Sequence, residues 1–174
     1  MSAIAASFLK DSAAFLRETY LPRLQRATLI LPPEDTWWRA HADALSAGTI
    51  LSHLNGNVRQ WIVCGLGGEV DARDRAAEFD AQTGPPATEL LDTLQDTVIR
   101  AAEVLEQLDP QRLEDDIALQ GFETNVFWAI YHVVEHFSWH TGQYVMLAKQ
   151  RAGADHGLAY YDDAALAKAR NAER

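Results

Sequence analysis

An all-α fold, a four-helix bundle, is what this sequence predicts, on three observations. Apolar residues recur at spacings of three and four over four long stretches. Proline pairs and glycine clusters separate those stretches, at Pro32-Pro33, at Gly65 to Gly68 and at Gly84-Pro85-Pro86. No stretch carries the sustained apolar-polar alternation of a strand, so no β-structure is expected. With 174 residues, 48% of them hydrophobic and 23% charged, the chain is expected to form a single domain over residues 1–174 around a substantial core.

The first helix is expected from Ser2 to about Ile30, where Phe8, Leu9, Ala13, Leu16, Tyr20, Leu24 and Leu29 keep helical spacing. Pro22 removes a backbone hydrogen bond, so a kink or break belongs near Tyr20 to Leu21. LPPEDTWWRAHADALSAG then reads as a connection in which Trp37 and Trp38 cover one end of the core, His41 is a surface residue, and Ser46 or Asp43 caps the next helix. That second helix is expected from about Ala47 to Cys64, burying Ile50, Leu51, Leu54, Val58, Trp61 and Ile62. Gly56 in its middle costs about 1 kcal/mol relative to alanine, which points to close approach by a neighbouring helix or a ligand. The second connection contains DARDRAAEFD, charge-dense and suited to one short extra helix. Arg73, Arg75 and Glu78 are expected to pair with one another on the surface; the alternative is that Arg73 or Arg75 grips an anionic substrate bidentately. Thr88 to Leu108 repeats leucine, valine and alanine as the third helix, stopped by Asp109-Pro110. Gln111 to Thr124 lacks a long pattern and is expected to cross back over the bundle. The fourth helix runs from about Asn125 to Gln150, Gly153 closes it, and the C-terminal tail has helical composition from Asp162 to Ala172.

The unusual chemistry lies on that fourth helix. His132, His136 and His140 follow one another in steps of four, and each such step turns the side chain by only about 40° around the axis, so the three form a stripe. Two histidines at that spacing can reach one metal ion from adjacent turns, and Gln143 shares their face. The alternative is three helix histidines each satisfied by a carboxylate, a carbonyl or water. On the second helix, His53 and Asn57 likewise share a face, whereas Cys64, eleven residues beyond His53, sits roughly 16 Å along the axis and is expected to be a small core residue.

Composition narrows the function. A formal charge of −10 repels phosphate backbones, so nucleic acid is excluded as a partner. No apolar run reaches the roughly 18 to 20 residues of a membrane span, and the N-terminus lacks the pattern of a signal peptide, so a cytoplasmic protein is expected. One cysteine can form neither an internal disulfide nor a cysteine zinc knuckle, which leaves histidine and carboxylate to hold any metal. No Lys-Ser/Thr follows the glycines near Gly65, so they make no phosphate loop. Neither the Glu-x-x-His pairs of ferritin-like di-iron proteins nor the H-E-x-x-H string of metalloproteases occurs.

LSHLNGNVRQWI around His53, DARDRAAEFD after it and HVVEHFSWHTGQYV on the last helix together resemble the DinB-like superfamily, including its YfiT branch. The resemblance covers most of the chain, and its strongest piece is H-x-x-x-H-x-G-Q, carried by His136, His140, Gly142 and Gln143. It implies a four-helix bundle, commonly dimeric, that binds one divalent metal, zinc or nickel, through one histidine of the second helix and two of the fourth. The ligands implied are His53, His136 and His140, with His132, Asn57 and Gln143 as candidates for supporting them. His132 departs from the pattern by lying a turn earlier on the same face. Three neutral imidazoles leave an ion its charge and an open position, the arrangement of a catalytic zinc site. The implied activity is a metal-dependent transferase acting with a low-molecular-weight thiol on a small-molecule substrate. The alternatives are a metal-dependent hydrolase and a non-catalytic metal- or ligand-binding stress-response protein.

Overall fold

Residues 3–158 are described by a computed structural model, in which every helix predicted within them forms and the four long ones pack as a bundle. The helix predicted from Ser2 is α1 (Ala3–Ala14) followed by a wider π-helical turn at Phe15–Tyr20 and then α2 (Leu21–Ile30). The wide turn stands where Pro22 called for a break. In α-winding the proline ring would press on the carbonyl of Glu18; here Leu21 donates back five residues to the carbonyl of Leu16 instead. The second helix is α3 (Ala47–Val58), which Ser46 caps by accepting from the Thr49 amide, continued by a second π-helical turn at Arg59–Cys64 that the apolar spacing did not announce. The short extra helix is α4 (Arg75–Asp80), capped by Asp74. The third is α5 (Ala87–Gln107) and the fourth is α6 (Val126–Ala152), capped by Asn125 and closed by Gly153 at φ 83°.

Two strands correct the expectation of no β-structure. β1 (Asp116–Leu119) pairs antiparallel with β2 (Phe122–Asn125), with Asp116 opposite Asn125 and Leu119 opposite Phe122. Gln120 and Gly121 at the turn both have positive φ, 52° and 80°, as a two-residue primed turn requires. Four residues per strand are too few for alternation to stand out, and glutamine replaces the asparagine or aspartate that normally marks such a turn.

In the bundle α3 packs against α5 and α6, and α2 packs against α6. Leu16, Leu24, Leu51, Leu54, Val58, Trp61, Ile62, Leu94, Val98, Ile130 and Phe137 are sealed in one contiguous core. Cys64 belongs to its margin, buried and bonded through sulfur to the Val70 carbonyl at 3.4 Å, as a structural residue. The first connection is fastened to the end of α6 by a bidentate ion pair, Arg151 to Asp35 at 2.9 and 3.0 Å, over which the Trp38 ring lies 4.2 Å from the guanidinium. Trp37 donates to the Pro85 carbonyl at 3.0 Å, and His41 is exposed. No described helix is long and apolar enough to cross a membrane. The helical composition from Asp162 to Ala172 lies outside the described residues.

Candidate metal centre

Histidines on α6 at steps of four face the buried side of α3, where His53 projects one turn before Asn57. His53, His136 and His140 meet there, with one ring nitrogen from each lying within 4.8 Å of the others. The ring centroids are 4.9 Å apart for His53 and His136, 5.1 Å for His53 and His140, and 4.5 Å for His136 and His140. The Nε2 atoms of His53 and His136 face each other at 3.0 Å. His132 does not join them. Its ring stacks on Trp128, centroids 5.2 Å apart and planes within 8°, and also touches Trp61 at 4.9 Å.

Behind His53 stands a carboxylate. Glu78, on α4, accepts from His53 Nδ1 at 2.9 Å and from Arg73 Nε at 2.6 Å and Nη2 at 2.8 Å. A carboxylate can only accept, so the shared proton belongs to His53 Nδ1 and the Nε2 lone pair is turned toward His136. Burial works against charge on Glu78, but the hydrogen bonds from Arg73 and His53 outweigh it and hold the carboxyl below its ordinary range. This corrects the surface pairing expected of Arg73, Arg75 and Glu78. The side chains of Arg73 and Glu78 are only 5% and 10% exposed, and Arg75 leaves the pair to lie over the Phe79 ring at 4.7 Å. Gly56 makes the burial feasible: a Cβ there would collide with the Glu78 carboxylate and come within 2.6 Å of Arg73 Nε. The close approach that Gly56 signalled is by this ion pair, whose carboxylate comes from the neighbouring short helix α4.

The two α6 histidines are kept neutral. Burial pushes His136 down to about 3, helped by His140, His53 and His132 nearby, and pushes His140 down to about 4, with Gln143 opposing. Burial lowers His132 as well, against the pull of Glu135. The Nδ1 atoms of His136 and His140 are buried without a hydrogen-bond partner. Neutral imidazole is the form that ligates a metal, and three such nitrogens this close fit one borderline-soft divalent ion; the cluster can hold it. Of the supporting candidates, Asn57 is buried on the wall of the adjacent cavity with its Oδ1 unbonded, and Gln143 is exposed one turn beyond His140. That cavity, about 580 Å³, is lined by His53, His132 and His136 together with the rings of Trp61, Phe122 and Trp128.

The depressed values fix the pH response. An unfolded histidine takes up a proton near its ordinary value of about 6.5, which the folded His136 and His140 refuse until the pH is far lower, so stability is intact above about pH 6.5 and falls as the pH drops toward 4. Urea unfolding of the metal-free protein is expected to show this fall at up to about 1.4 kcal/mol per pH unit for each histidine, reduced by solvent screening because both are partly exposed. A flat profile from pH 7 to 5, or an unchanged one in a variant lacking both histidines, would contradict it.

Fold and site together define a helical-bundle protein with a tri-histidine centre that can accept a divalent metal. Residues 3–158 match the family described as a protein of unknown function, DUF1572, and the chain belongs to that family. No curated protein matches the sequence. Among solved structures the chain is similar to the crystal structure of YjoA, a DinB-like protein of Bacillus subtilis, with a TM-score of 0.60 at 14% identity over 84% of this chain and 94% of that one. The likeness is one of fold, and it bears out the DinB-like resemblance and the all-α bundle.

Proposed function

We propose that the chain is a divalent-metal-binding protein of the cytoplasm that uses an ion held by His53, His136 and His140, zinc or nickel, to transfer a low-molecular-weight thiol onto a small electrophile. The observation that supports this most is the convergence of three imidazoles within reach of one ion, two of which, His53 and His136, also line a cavity with room for a small molecule. When bound, the ion supplies a Lewis-acid centre that lowers the pKa of a thiol beside it. The chain's own residues do the rest. Glu78 fixes the tautomer and orientation of His53, and Trp61, Phe122 and Trp128 give the cavity apolar surface. The thiol proton passes to solvent, and the sulfur forms its new bond to the acceptor carbon as the bond from that carbon to its leaving group breaks, the leaving group departing with the bonding pair.

A conjugation screen with simple thiols and electrophiles tests the proposal. Turnover is expected to require added thiol, to stop on chelation and in His140→Ala, and to persist in Cys64→Ser, since Cys64 sits at the core margin and outside the histidine cluster. Thiol-independent ester or amide hydrolysis would establish the hydrolase alternative. Neither reaction, with metal verified in the protein, would favour the non-catalytic binding alternative.

A homodimer is proposed as the assembly. Tyr131, Trp139 and Met146 lie seven or eight residues apart on α6 and are 56%, 64% and 71% exposed, an apolar stripe suited to a second copy. Sedimentation at tens of micromolar is expected to give twice the chain mass, and a monomer there would remove the dimer.

A further inference from the structure

The cavity beside the histidines carries chemistry that a metal ion does not need. Trp128 and Phe122, 42% and 56% exposed, offer ring faces 6.5 Å apart between centroids, and each lies near the buried Trp61, at 5.8 and 6.3 Å. Two polar groups on the same wall are unbonded. Asn57, 4% exposed, leaves Oδ1 without a donor, and Trp61, fully buried, leaves Nε1 without an acceptor. They sit four residues apart, Asn57 in the last turn of α3 and Trp61 in the π-helical turn that continues it, and a substituent that both donates and accepts matches the pair. A third group is a cation. Arg73 is used up on Glu78 and Gln60, whereas Arg75, on the same cavity, has only the Phe79 face and no carboxylate partner among the described residues.

We infer that this cavity binds a planar aromatic acid of one or two rings, with the ring against Trp128 and Phe122, the carboxylate at Arg75 and a hydroxyl or amide substituent at Asn57 and Trp61. Flat rings stack on aromatic side chains more favourably than saturated rings of equal size, and a guanidinium lying on an aromatic face keeps its edge free for a carboxylate. A volume of about 580 Å³ suits a molecule of this size. That the acid is also transformed there rests on the proposed metal function; its binding does not.

Calorimetric titration of the full chain, both as purified and after chelation, tests the inference with 2-naphthoate, 6-hydroxy-2-naphthoate, 2-naphthamide and decalin-2-carboxylate. In the chelated protein 2-naphthoate is expected to bind roughly fivefold to tenfold tighter than the saturated acid. The amide should bind more weakly than the acid, and Arg75→Gln should erase that difference. The hydroxyl should tighten binding in the wild type and not in Asn57→Leu. Trp128→Ala, with its helical circular dichroism retained, should weaken 2-naphthoate. Equal binding of the flat and saturated acids, wild-type affinity in both Trp128→Ala and Arg75→Gln, or no binding at millimolar concentration would each overturn the inference. Because the chelated protein is the deciding sample, absence of metal would remove the metal function and leave this result standing, and a metal-loaded protein that ignores the acids would do the reverse.

Discussion

Replacing His136 with alanine is expected to strip the protein of most of its divalent ion, from about one per chain to a small fraction after dialysis, as read by elemental analysis. Structural zinc sites bind with apparent free energies of about 10–16 kcal/mol, so each of four ligands supplies roughly 3–4 kcal/mol and losing one weakens binding on the order of 100- to 1,000-fold. Fold damage should not confuse the result, because His136 is only partly buried and its Nδ1 bonds to nothing. His132→Ala should keep its metal, since that ring is engaged with Trp128 and Trp61 outside the cluster. If His136→Ala stayed loaded while His132→Ala emptied, the ligand set would have to move one helical turn. Chelating the wild type should lower its melting temperature, because an ion bound only to the folded state adds stability by mass action.

The second large effect is expected at a residue that touches no metal. Glu78→Ala should lower metal affinity about 10- to 100-fold by releasing His53 from its fixed tautomer, the usual size of such outer contacts. It should also destabilise the fold by about 3 kcal/mol, because Arg73 is left buried with its charge unpaired. Gly56→Ala tests the same ion pair from the helix it lies over. In an ordinary helix interior that substitution adds about 1 kcal/mol of stability. Here the new methyl group meets a carboxylate pinned between Arg73 and His53, so both stability and metal affinity should fall. A Gly56→Ala protein that melts higher and holds metal as tightly as the wild type would show that the ion pair does not lie over α3 as described.

How much of this was legible in the sequence follows from what each feature depends on. The long helices were readable because their buried faces repeat over many turns, and the Ser46 cap because capping acts within three residues. His136 and His140 announced each other through spacing along one helix, but His53 joined them only through the family resemblance, since 83 residues separate it from His136. Glu78 gave no sign of its role, because charge-dense segments are ordinarily solvated and only the shallow notch at Gly56 lets this one sink against α3. Gly56 was the one legible hint, and it marked close approach without saying by what. The hairpin escaped because its strands are too short for a period to show.

That hairpin divides the molecule in a way that matters for descent. The three imidazoles stand on α3 and α6, elements committed to the core, whereas Gln120 and Phe122 reach the cavity from a two-stranded ribbon. Gln120 is latched to the bundle by its side-chain bond to Gln60, which in turn bonds Arg73. Substitutions on the ribbon can therefore change what the cavity admits while the imidazoles stay in place, so a lineage can inherit its histidine cluster intact and alter the cavity beside it through a handful of surface residues.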